Sequence, residues 1–292
     1  MAKIAIIGSG VVGQATGKGL IKGGHEVYFF DINKELLSDL KKQGYNADTP
    51  DKIKIQDIDT YIFTVSTPTV NGKVKLDYLK TAAISLGKKL KNKKDYFLLV
   101  GRSTMPPGTT RDLIAGNVEK YSGKKTGVDF GYCMNPEYLR EKSSVQDFSN
   151  PWVVLIGAYD ERSYRMLEKI YSRFKCPIYR LSVEGAEMQK YVHNLFNAAK
   201  ISFFNEMRMV AEKLNLDADK IFSITATSAE GIWNEKYGLR DLGPFDGMCL
   251  PKDTSAFLDW ARSNTDISMN MLEQVIQVNQ EFMDYRKQKN KK

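Results

Sequence analysis

The stretch KIAIIGSGVVG, residues 3–13, places three glycines in a G-x-G-x-x-G pattern directly after a short apolar run. The apolar run predicts a buried β-strand, and the residues from Val11 to Ile21 predict a helix. Glycine allows a tight turn between the two elements and lets backbone N–H groups approach a phosphate at the start of the helix. We therefore expect the first unit of a dinucleotide-binding domain here.

The next predicted strand, EVYFFD (26–31), ends in Asp31, 18 residues after Gly13. A carboxylate at this place accepts hydrogen bonds from the ribose of NAD and repels the additional phosphate of NADP. NAD is therefore the predicted cofactor, although a nearby lysine weakens that preference. The predicted cofactor contacts in this region are Gly8, Gly10, Val11, Val12, Gly13, Asp31 and Lys34.

The first half of the chain repeats this alternation of strands and helices. Buried strands separated by helices, such as Asp77 to Leu90, predict a parallel sheet covered on both faces. The predicted fold class is α/β, with an N-terminal Rossmann-type doubly wound parallel sheet followed by a helical domain. The further predicted strands are TYIFTV (60–65), YFLLVG (96–101), VDFGYCM (128–134), WVVLIG (152–157) and CPIYRL (176–181).

The pattern of apolar residues in the sequence changes at Glu184. Residues 184–215 run for 32 residues without a proline and are apolar on more than one stripe, which is typical of a buried or interface helix. We expect an NAD-binding Rossmann domain over residues 1–182 and a helical domain over residues 183–292, built around this long central helix. Because the helix has more apolar surface than a small domain covers, we also expect a homodimer formed through it.

Composition argues against several classes of protein. The chain is 42% apolar and 27% charged, as globular proteins are, and no window approaches the ~18 apolar residues of a membrane span. Its net charge of +8 comes partly from lysine clusters at 88–94 and 286–292 without interleaved aromatic residues, so we expect no nucleic-acid partner. Three unevenly spaced cysteines and two histidines predict neither a disulfide framework nor a metal site. Because the chain begins directly with a strand, we expect no signal peptide and a cytoplasmic protein.

Three later strands end in polar loops, STPT, RSTMPPGTT and NPEYLRE. Turn chemistry is one explanation for their Pro, Ser, Thr and Asn residues. The other is a ligand site, because the carboxyl ends of parallel strands meet at one edge of the sheet. If EYLRE begins a helix, Glu137 and Glu141 face the same side. The polar residues of these loops are Thr67, Thr69, Ser103, Thr104, Asn135, Glu137 and Glu141.

Two further features suit carbonyl chemistry. Lys190 and Asn194 lie four residues apart on the long helix and so share a face. Either the lysine extends its charge to solvent, or the pair stabilises an oxyanion. The stretch GPFDGMCLPKDT, residues 243–254, places Cys249 in a loop beside charged residues, although cysteine is usually a core residue.

Together these features resemble the UDP-glucose/GDP-mannose dehydrogenase family. The order and spacing of the blocks are more specific than any single block. The blocks lie between residues 4 and 254 and are IAIIGSGVVG, STPT, RSTMPPGTT, NPEYLREKSSVQDFSNPWVVLIG, AEMQKYVHNLFNAAKISFFNE and CLPKDT.

The resemblance implies a four-electron oxidation with NAD, in which the primary alcohol of a nucleotide sugar such as UDP-glucose becomes a uronic acid. Cys249 matches the family's nucleophile, which forms a thiohemiacetal and then a thioester. Lys190 and Asn194 match the oxyanion-stabilising pair. Thr104, Glu137 and Asp253 match the residues that handle water and protons. The remaining implied contacts are Thr67, Thr69, Thr104 and Glu141 for the cofactor, and Glu137, Tyr138, Leu139, Arg140, Lys190 and Asn194 for the substrate.

The sequence also departs from the family pattern. Family members continue into a second nucleotide-binding domain, which we expect this chain to lack because it stops at Lys292. The residues before the cysteine read Phe-Asp-Gly-Met (245–248) where the family has a glycine pair, so Asp246 adds a negative charge. The family's substrate-binding arginine has no clear counterpart, since Arg240 is out of register.

These departures leave several hypotheses open. The chain is a compact dehydrogenase, or a dehydrogenase half completed by another chain, or a non-catalytic NAD-binding scaffold. A β-hydroxyacid dehydrogenase also has an NAD domain, a helical domain and a Lys/Asn pair, but it transfers a single hydride and needs no cysteine. The number of NADH molecules formed per product separates the last hypothesis from the first.

Overall fold

A computed structural model describes residues 1–140, 144–239 and 243–289. The chain divides into two compact units, Met1–His193 and Asn194–Lys292.

The first unit is built on an eight-stranded sheet with a two-stranded hairpin beside it. Its central strands are apolar runs that are buried almost throughout, as expected of a sheet covered on both faces. The strands are β1 (Lys3–Ile7), β2 (Glu26–Phe30), β3 (Asn46–Asp48), β4 (Thr60–Phe63), β5 (Thr69–Val70), β6 (Lys73–Val74), β7 (Phe97–Gly101), β8 (Phe130–Met134), β9 (Val154–Ala158) and β10 (Ile178–Leu181).

The strand order of the main sheet is β10-β9-β8-β7-β4-β1-β2-β3. Successive connections run outward from β1 to β3 and then reverse to β4 on the other side of β1. This reversal opens a crevice at the carboxyl ends of β1 and β4, the place where such sheets bind nucleotides. The predicted Rossmann-type fold is confirmed.

The last two strands differ from the fully parallel sheet that was predicted. β9 pairs with β8 in the antiparallel direction, and β10 is parallel to β9. A parallel β9 would need a crossover connection with a helix long enough to return along the sheet. The only helix described in this connection is α5 (Ser144–Ser149), which at six residues is too short for such a return.

Helices cover both faces of the sheet and create two separate cores. Local caps set several of their starts: the Asn33 side chain accepts from two N–H groups of α2, and Asp160 caps α6. The helices of this unit are α1 (Val11–Lys22), α2 (Lys34–Lys42), α3 (Asp77–Leu90), α4 (Gly116–Ser122, preceded by a π-helical segment Thr110–Ala115), α5 and α6 (Glu161–Tyr171).

A long helix, α7 (Val183–Lys213), begins in the first unit and continues into the second. Its first turn packs on the sheet, where a Cβ added to Gly157 would lie 2.6 Å from the Cβ of Ala186. The predicted boundary at residues 182 and 183 stays a prediction. The first unit extends to His193 because the first turns of α7 are bonded to loops of the sheet.

The second unit is helical and has a small core around Val210, Ala261, Met269 and Leu272. The buried Glu206 on α7 accepts from the N–H groups of Met271 and Leu272 and so caps the last helix. Among the described residues, no helix is both long and apolar enough to cross a bilayer. The further helices are α8 (Ala218–Ser228), α9 (Glu230–Trp233), α10 (Leu250–Asn264) and α11 (Asn270–Lys289).

Candidate functional site

The glycine turn after β1 has the geometry that a dinucleotide pyrophosphate requires. Gly8 has φ +94°, and a Cβ there would come within 2.9 Å of the Val65 backbone. A Cβ on Gly13 would come within 2.1 Å of the Gly8 carbonyl oxygen, so glycine lets α1 pack close to the turn. A Cβ on Gly10 would meet nothing within 4 Å, and this open side leaves the backbone accessible to a phosphate.

The first turn of α1 supplies further donors to this open side. Val11 and Val12 are its first residues, and Val11 is exposed. The first N–H groups of a helix have no intrahelical acceptor, and no side chain caps this helix among the described residues. These residues fit the phosphate-binding role predicted for them.

Asp31 lies beside the glycine turn. One of its carboxylate oxygens accepts from the N–H of Ser9 at 2.6 Å, and the other accepts from the N–H of Asn33 at 2.9 Å. These bonds orient the carboxylate next to the crevice, where a ribose would lie. Lys34 is exposed at the start of α2, three residues further along the chain.

The loops after β4 and β7 are bonded to each other. The Thr67 hydroxyl donates to the Thr104 carbonyl oxygen at 2.7 Å, and the Ser103 hydroxyl donates to the Val65 carbonyl oxygen at 2.6 Å. Within the described residues the Thr104 hydroxyl makes no hydrogen bond, and the residue is half-buried. Thr69 is exposed in the β5–β6 hairpin.

Lys190 on α7 contacts Glu137 in the loop after β8. The Lys190 ammonium lies 3.1 Å from a carboxylate oxygen of Glu137 and also donates to its carbonyl oxygen. Both side chains are largely buried. The structure therefore brings together two of the predicted catalytic residues, which lie 53 positions apart in the sequence.

The pair lies in an aromatic environment. The Lys190 ammonium lies 5.5 Å from the centre of the Tyr138 ring. The centre of the His193 ring lies 4.8 Å from the same point. Burial raises the pKa of Tyr138 to about 12, so its hydroxyl stays protonated, and it donates to Gln189. Burial, together with the neighbouring Lys190 charge, lowers the pKa of His193.

The helix considered for EYLRE does not begin at Glu137, because residues 135–140 are irregular. One Glu137 carboxylate oxygen instead accepts from the N–H of Leu139 at 2.6 Å, which closes a turn. Arg140 pairs with the buried Asp147 at 2.7 Å and lies over the Trp152 ring. Glu141, the other member of the predicted pair, lies outside the described residues.

The remaining predicted residues belong to the second unit. Asn194 is exposed on α7, one turn after Lys190. Cys249 is exposed and immediately precedes α10. Asp253 lies in the first turn of α10, where its N–H donates to the Cys249 carbonyl oxygen at 2.8 Å and its carboxylate contacts Lys252 at 3.2 Å.

Sequence reasoning missed several buried charged residues, of which two bond the loops after β7 and β8. Arg102 donates to the Asn135 carbonyl oxygen at 3.1 Å and to Thr16 at 2.9 Å, and so joins the loop after β7 to the loop after β8. Glu187 is fully buried, and it accepts from the N–H groups of Gly108 and Thr110 and from the Thr110 hydroxyl. Burial raises the pKa of the Glu187 carboxyl, and its three donors oppose this effect. No local sequence pattern marks either residue, because their partners lie 33 and 77 positions away in the sequence.

Comparisons with known proteins point to one family. Residues 36–175 match the NAD binding domain of the UDP-glucose/GDP-mannose dehydrogenase family, and residues 184–281 match its central domain. The chain is 33% identical to a GDP-mannose 6-dehydrogenase of Pseudomonas aeruginosa over 298 residues, which cover 95% of this chain and 68% of that protein. It is also 33% identical over 286 residues to a UDP-glucose 6-dehydrogenase of Haloferax volcanii, with 89% and 66% covered.

A solved structure extends the likeness to three dimensions. It is a ternary complex of GDP-mannose dehydrogenase from Pseudomonas aeruginosa, with a TM-score of 0.90 and 32% identity. The match covers 96% of this chain and 69% of that one. The chain thus spans about two thirds of the length of the relatives it matches.

Proposed function

Since this chain belongs to the UDP-glucose/GDP-mannose dehydrogenase family, we propose that it oxidises the primary alcohol of a nucleotide sugar to the acid with NAD. The product is a uronic acid, as expected for a UDP-glucose 6-dehydrogenase-like enzyme. The relatives named above act on GDP-mannose and UDP-glucose, so both are candidate substrates.

One contact carries the proposal, the ion pair between Lys190 and Glu137 at 3.1 Å. Burying a lysine is costly unless a partner compensates it, and Glu137 does so at the carboxyl edge of the sheet. An ammonium held in place with little contact to water stabilises a developing oxyanion more strongly than a solvated one. Asn194, one turn along α7, is proposed to donate to the same oxygen.

The cofactor is assigned to the glycine turn. NAD, when bound, supplies the hydride acceptor for both oxidations. Gly8, Gly10 and Gly13 are proposed to let the backbone approach the pyrophosphate, and Asp31 is proposed to accept from the ribose. Thr67 and Thr69 are proposed as further contacts along the cofactor.

The chemistry proceeds through the cysteine. In the first oxidation the alcohol loses a hydride and a proton and becomes an aldehyde. The Cys249 thiolate then adds to the aldehyde carbon, and the oxygen takes up a proton to give a thiohemiacetal. Loss of a second hydride and a proton gives a thioester. Water displaces the thiolate to release the acid, with Thr104, Glu137 and Asp253 proposed to hold the water and transfer protons.

The experiment is to follow NADH formation with a panel of nucleotide sugars that includes UDP-glucose and GDP-mannose. Wild type is expected to form two NADH per sugar consumed and to release the acid. Cys249→Ser is expected to form one NADH and to stop at the aldehyde, because serine is a much weaker nucleophile. Cys176→Ser is the control, since Cys176 is partly buried outside the proposed site.

Other outcomes would contradict the proposal in distinct ways. One NADH per product from wild type would indicate a single hydride transfer of the hydroxyacid type. Two NADH from Cys249→Ser would remove the cysteine from the mechanism. If NAD binds but no sugar is oxidised, and no property depends on Cys249, the chain is a non-catalytic NAD-binding protein.

A further inference from the structure

Asn279 on α11 forms a two-point contact with the backbone of the loop that precedes Cys249. The N–H of Phe245 donates to Asn279 Oδ1 at 2.7 Å, and Asn279 Nδ2 donates to the Phe245 carbonyl oxygen at 2.9 Å. The side-chain amide thus pairs with a peptide unit as a neighbouring strand would. The two partners lie 34 positions apart in the sequence.

This contact joins the loop to a helix that follows it in the sequence. Among the described residues, no other hydrogen bond joins Gly243–Met248 to the rest of the chain. Gly243 and Gly247 flank Phe245 with φ values of +90° and +89°, and a Cβ on either would meet nothing within 4 Å. The glycines therefore permit the path of the loop without packing that would fix it.

Only an amide side chain can make this contact. It needs one acceptor for the Phe245 N–H and one donor for the Phe245 carbonyl oxygen. A carboxylate of the same shape keeps the acceptor but brings a negative charge to the carbonyl oxygen. An aliphatic side chain keeps neither bond.

The contact lies four residues before Cys249, which is the residue that precedes α10. The first turn of α10 fixes the chain after the cysteine, since the Asp253 N–H donates to the Cys249 carbonyl oxygen at 2.8 Å. The Asn279 contact bonds the backbone on the other side, before the cysteine. The backbone is therefore hydrogen-bonded both before and after the cysteine.

We propose that Asn279 is a positioning residue for Cys249: it holds the Gly243–Met248 loop so that the thiol is placed for attack. This inference rests on the proposed function, in which Cys249 is the nucleophile. Asn279 acts through the loop backbone and is not assigned a contact with substrate. The first oxidation does not use the cysteine, so losing the contact affects the second oxidation selectively.

The experiment compares Asn279→Ala, Asn279→Asp and wild type with two readouts. Hydrogen–deuterium exchange of the Phe245 amide, in the protein alone, is expected to become about tenfold faster in Asn279→Ala, the scale of one lost hydrogen bond. Asn279→Asp keeps the acceptor and is expected to retain most of that protection. With a nucleotide sugar and NAD, both variants are expected to form fewer than two NADH per sugar and to release trappable aldehyde.

Gln280→Ala is the matched control, because Gln280 is the exposed next residue on the same helix. It is expected to keep wild-type exchange and two NADH per sugar. A purely structural role for Asn279 would lower both oxidations together and leave the ratio at two, which would overturn the inference. Unchanged exchange in Asn279→Ala would overturn it as well, whatever the activity.

Failure of the proposed function has a different signature. If Cys249→Ser itself forms two NADH per sugar, the cysteine mechanism fails and the positioning role falls with it. If Cys249→Ser forms one NADH while Asn279→Ala forms two, only the positioning role fails. Thermal unfolding shows whether each variant is folded. If Asn279→Ala does not fold, the comparison of Asn279→Asp with wild type tests the proposal.

Discussion

Gly10 and Gly13 belong to one motif, but they have opposite surroundings. A Cβ at Gly13 would lie 2.1 Å from a carbonyl oxygen, whereas a Cβ at Gly10 would lie in open space. We expect Gly13→Ala to lower the free energy of unfolding by about 2 kcal/mol or more, because the helix must move away from the turn. Gly10→Ala is expected to cost about 1 kcal/mol or less, since its backbone is extended and unobstructed.

The functional effect of the two substitutions should differ in the same experiment. Gly10→Ala places a methyl group where the cofactor phosphates would approach, so NAD affinity should fall about tenfold or more while the fold is kept. The measurements are urea unfolding and NAD titration by fluorescence. Wild-type NAD affinity in a folded Gly10→Ala variant would contradict the proposed pyrophosphate position.

Residues in local motifs could be predicted from the sequence, and residues in long-range pairs could not. The glycine turn and Asp31 follow from spacing along one strand–turn–helix–strand unit. Arg102 and Asn279 bond to partners 33 and 34 positions away, and no local pattern marks these pairs. Asn279 also has no unusual sequence context, because a polar residue on a surface helix is ordinary.

At the scale of elements, Glu187 on helix α7 caps a different helical segment. The π-helical segment Thr110–Ala115 has no cap of its own, and Glu187 of α7 accepts from the N–H groups of Gly108 and Thr110. We expect Glu187→Gln to lower the free energy of unfolding by about 2 to 3 kcal/mol, because it removes charged hydrogen bonds and points amide donors at buried N–H groups.

Glu184 provides the control for this prediction. It lies on the same helix in an exposed ion pair with Arg111 at 2.6 Å. Glu184→Gln should change the free energy of unfolding by less than about 1 kcal/mol, the range of exposed ion pairs. Equal effects of the two substitutions in urea unfolding would argue against the capping role of Glu187.

His25 is bonded to the residue before β1 and to α6, and its protonation makes the stability of the protein depend on pH. Its Nδ1 accepts from the N–H of Ala2 at 3.3 Å, so Nε2 carries the proton and donates to the Ile170 carbonyl oxygen at 3.1 Å. Burial lowers the pKa of His25 below its ordinary value of 6.5, and the charges of the N-terminus and Arg173 lower it further. The unfolded chain therefore binds a proton more readily than the folded one, and stability decreases as the pH falls through 6.5 toward the folded value.

This pH dependence can be assigned by substitution. The free energy of unfolding of wild type should be lower at about pH 5.5 than at about pH 7.5, and the decrease should be smaller in His25→Gln. Other groups contribute equally to both proteins, so the difference between the two decreases isolates His25. An identical decrease in both would mean that His25 titrates alike in the folded and unfolded chains.

The element pattern was predictable in part. The apolar runs predicted seven of the ten strands to within a few residues, because burial on both faces leaves a continuous apolar signal. The short strands β3, β5 and β6 are not apolar runs and were not predicted. The direction of β9 was not predictable, since an apolar run carries no information on whether its neighbour is parallel. Direction is set by the connection, and the described part of this one contains only the six-residue helix α5.

At the scale of the whole molecule, the sequence predicted two parts because the composition changes at residue 184. It did not predict that the first turns of α7 belong to the first unit. Glu187 and Lys190 bond to loops 77 and 53 positions earlier, and such distant partners are invisible in a local pattern. These bonds attach a helix that carries proposed catalytic groups to the loops that carry Thr104 and Glu137.

The helix also supports a prediction about assembly, which we propose is a homodimer formed through α7. Met188, Val192, Leu195 and Phe196 are exposed apolar residues at the spacing of one helix stripe, as expected of a surface covered by a second copy. Phe196→Glu should convert a dimer to a single chain in sedimentation velocity at micromolar concentration, because it buries an unpaired charge. Ile201→Glu is the control, since Ile201 is equally exposed, 61% against 62%, but lies off the stripe. A single-chain wild type, or equal effects of both substitutions, would rule out this interface.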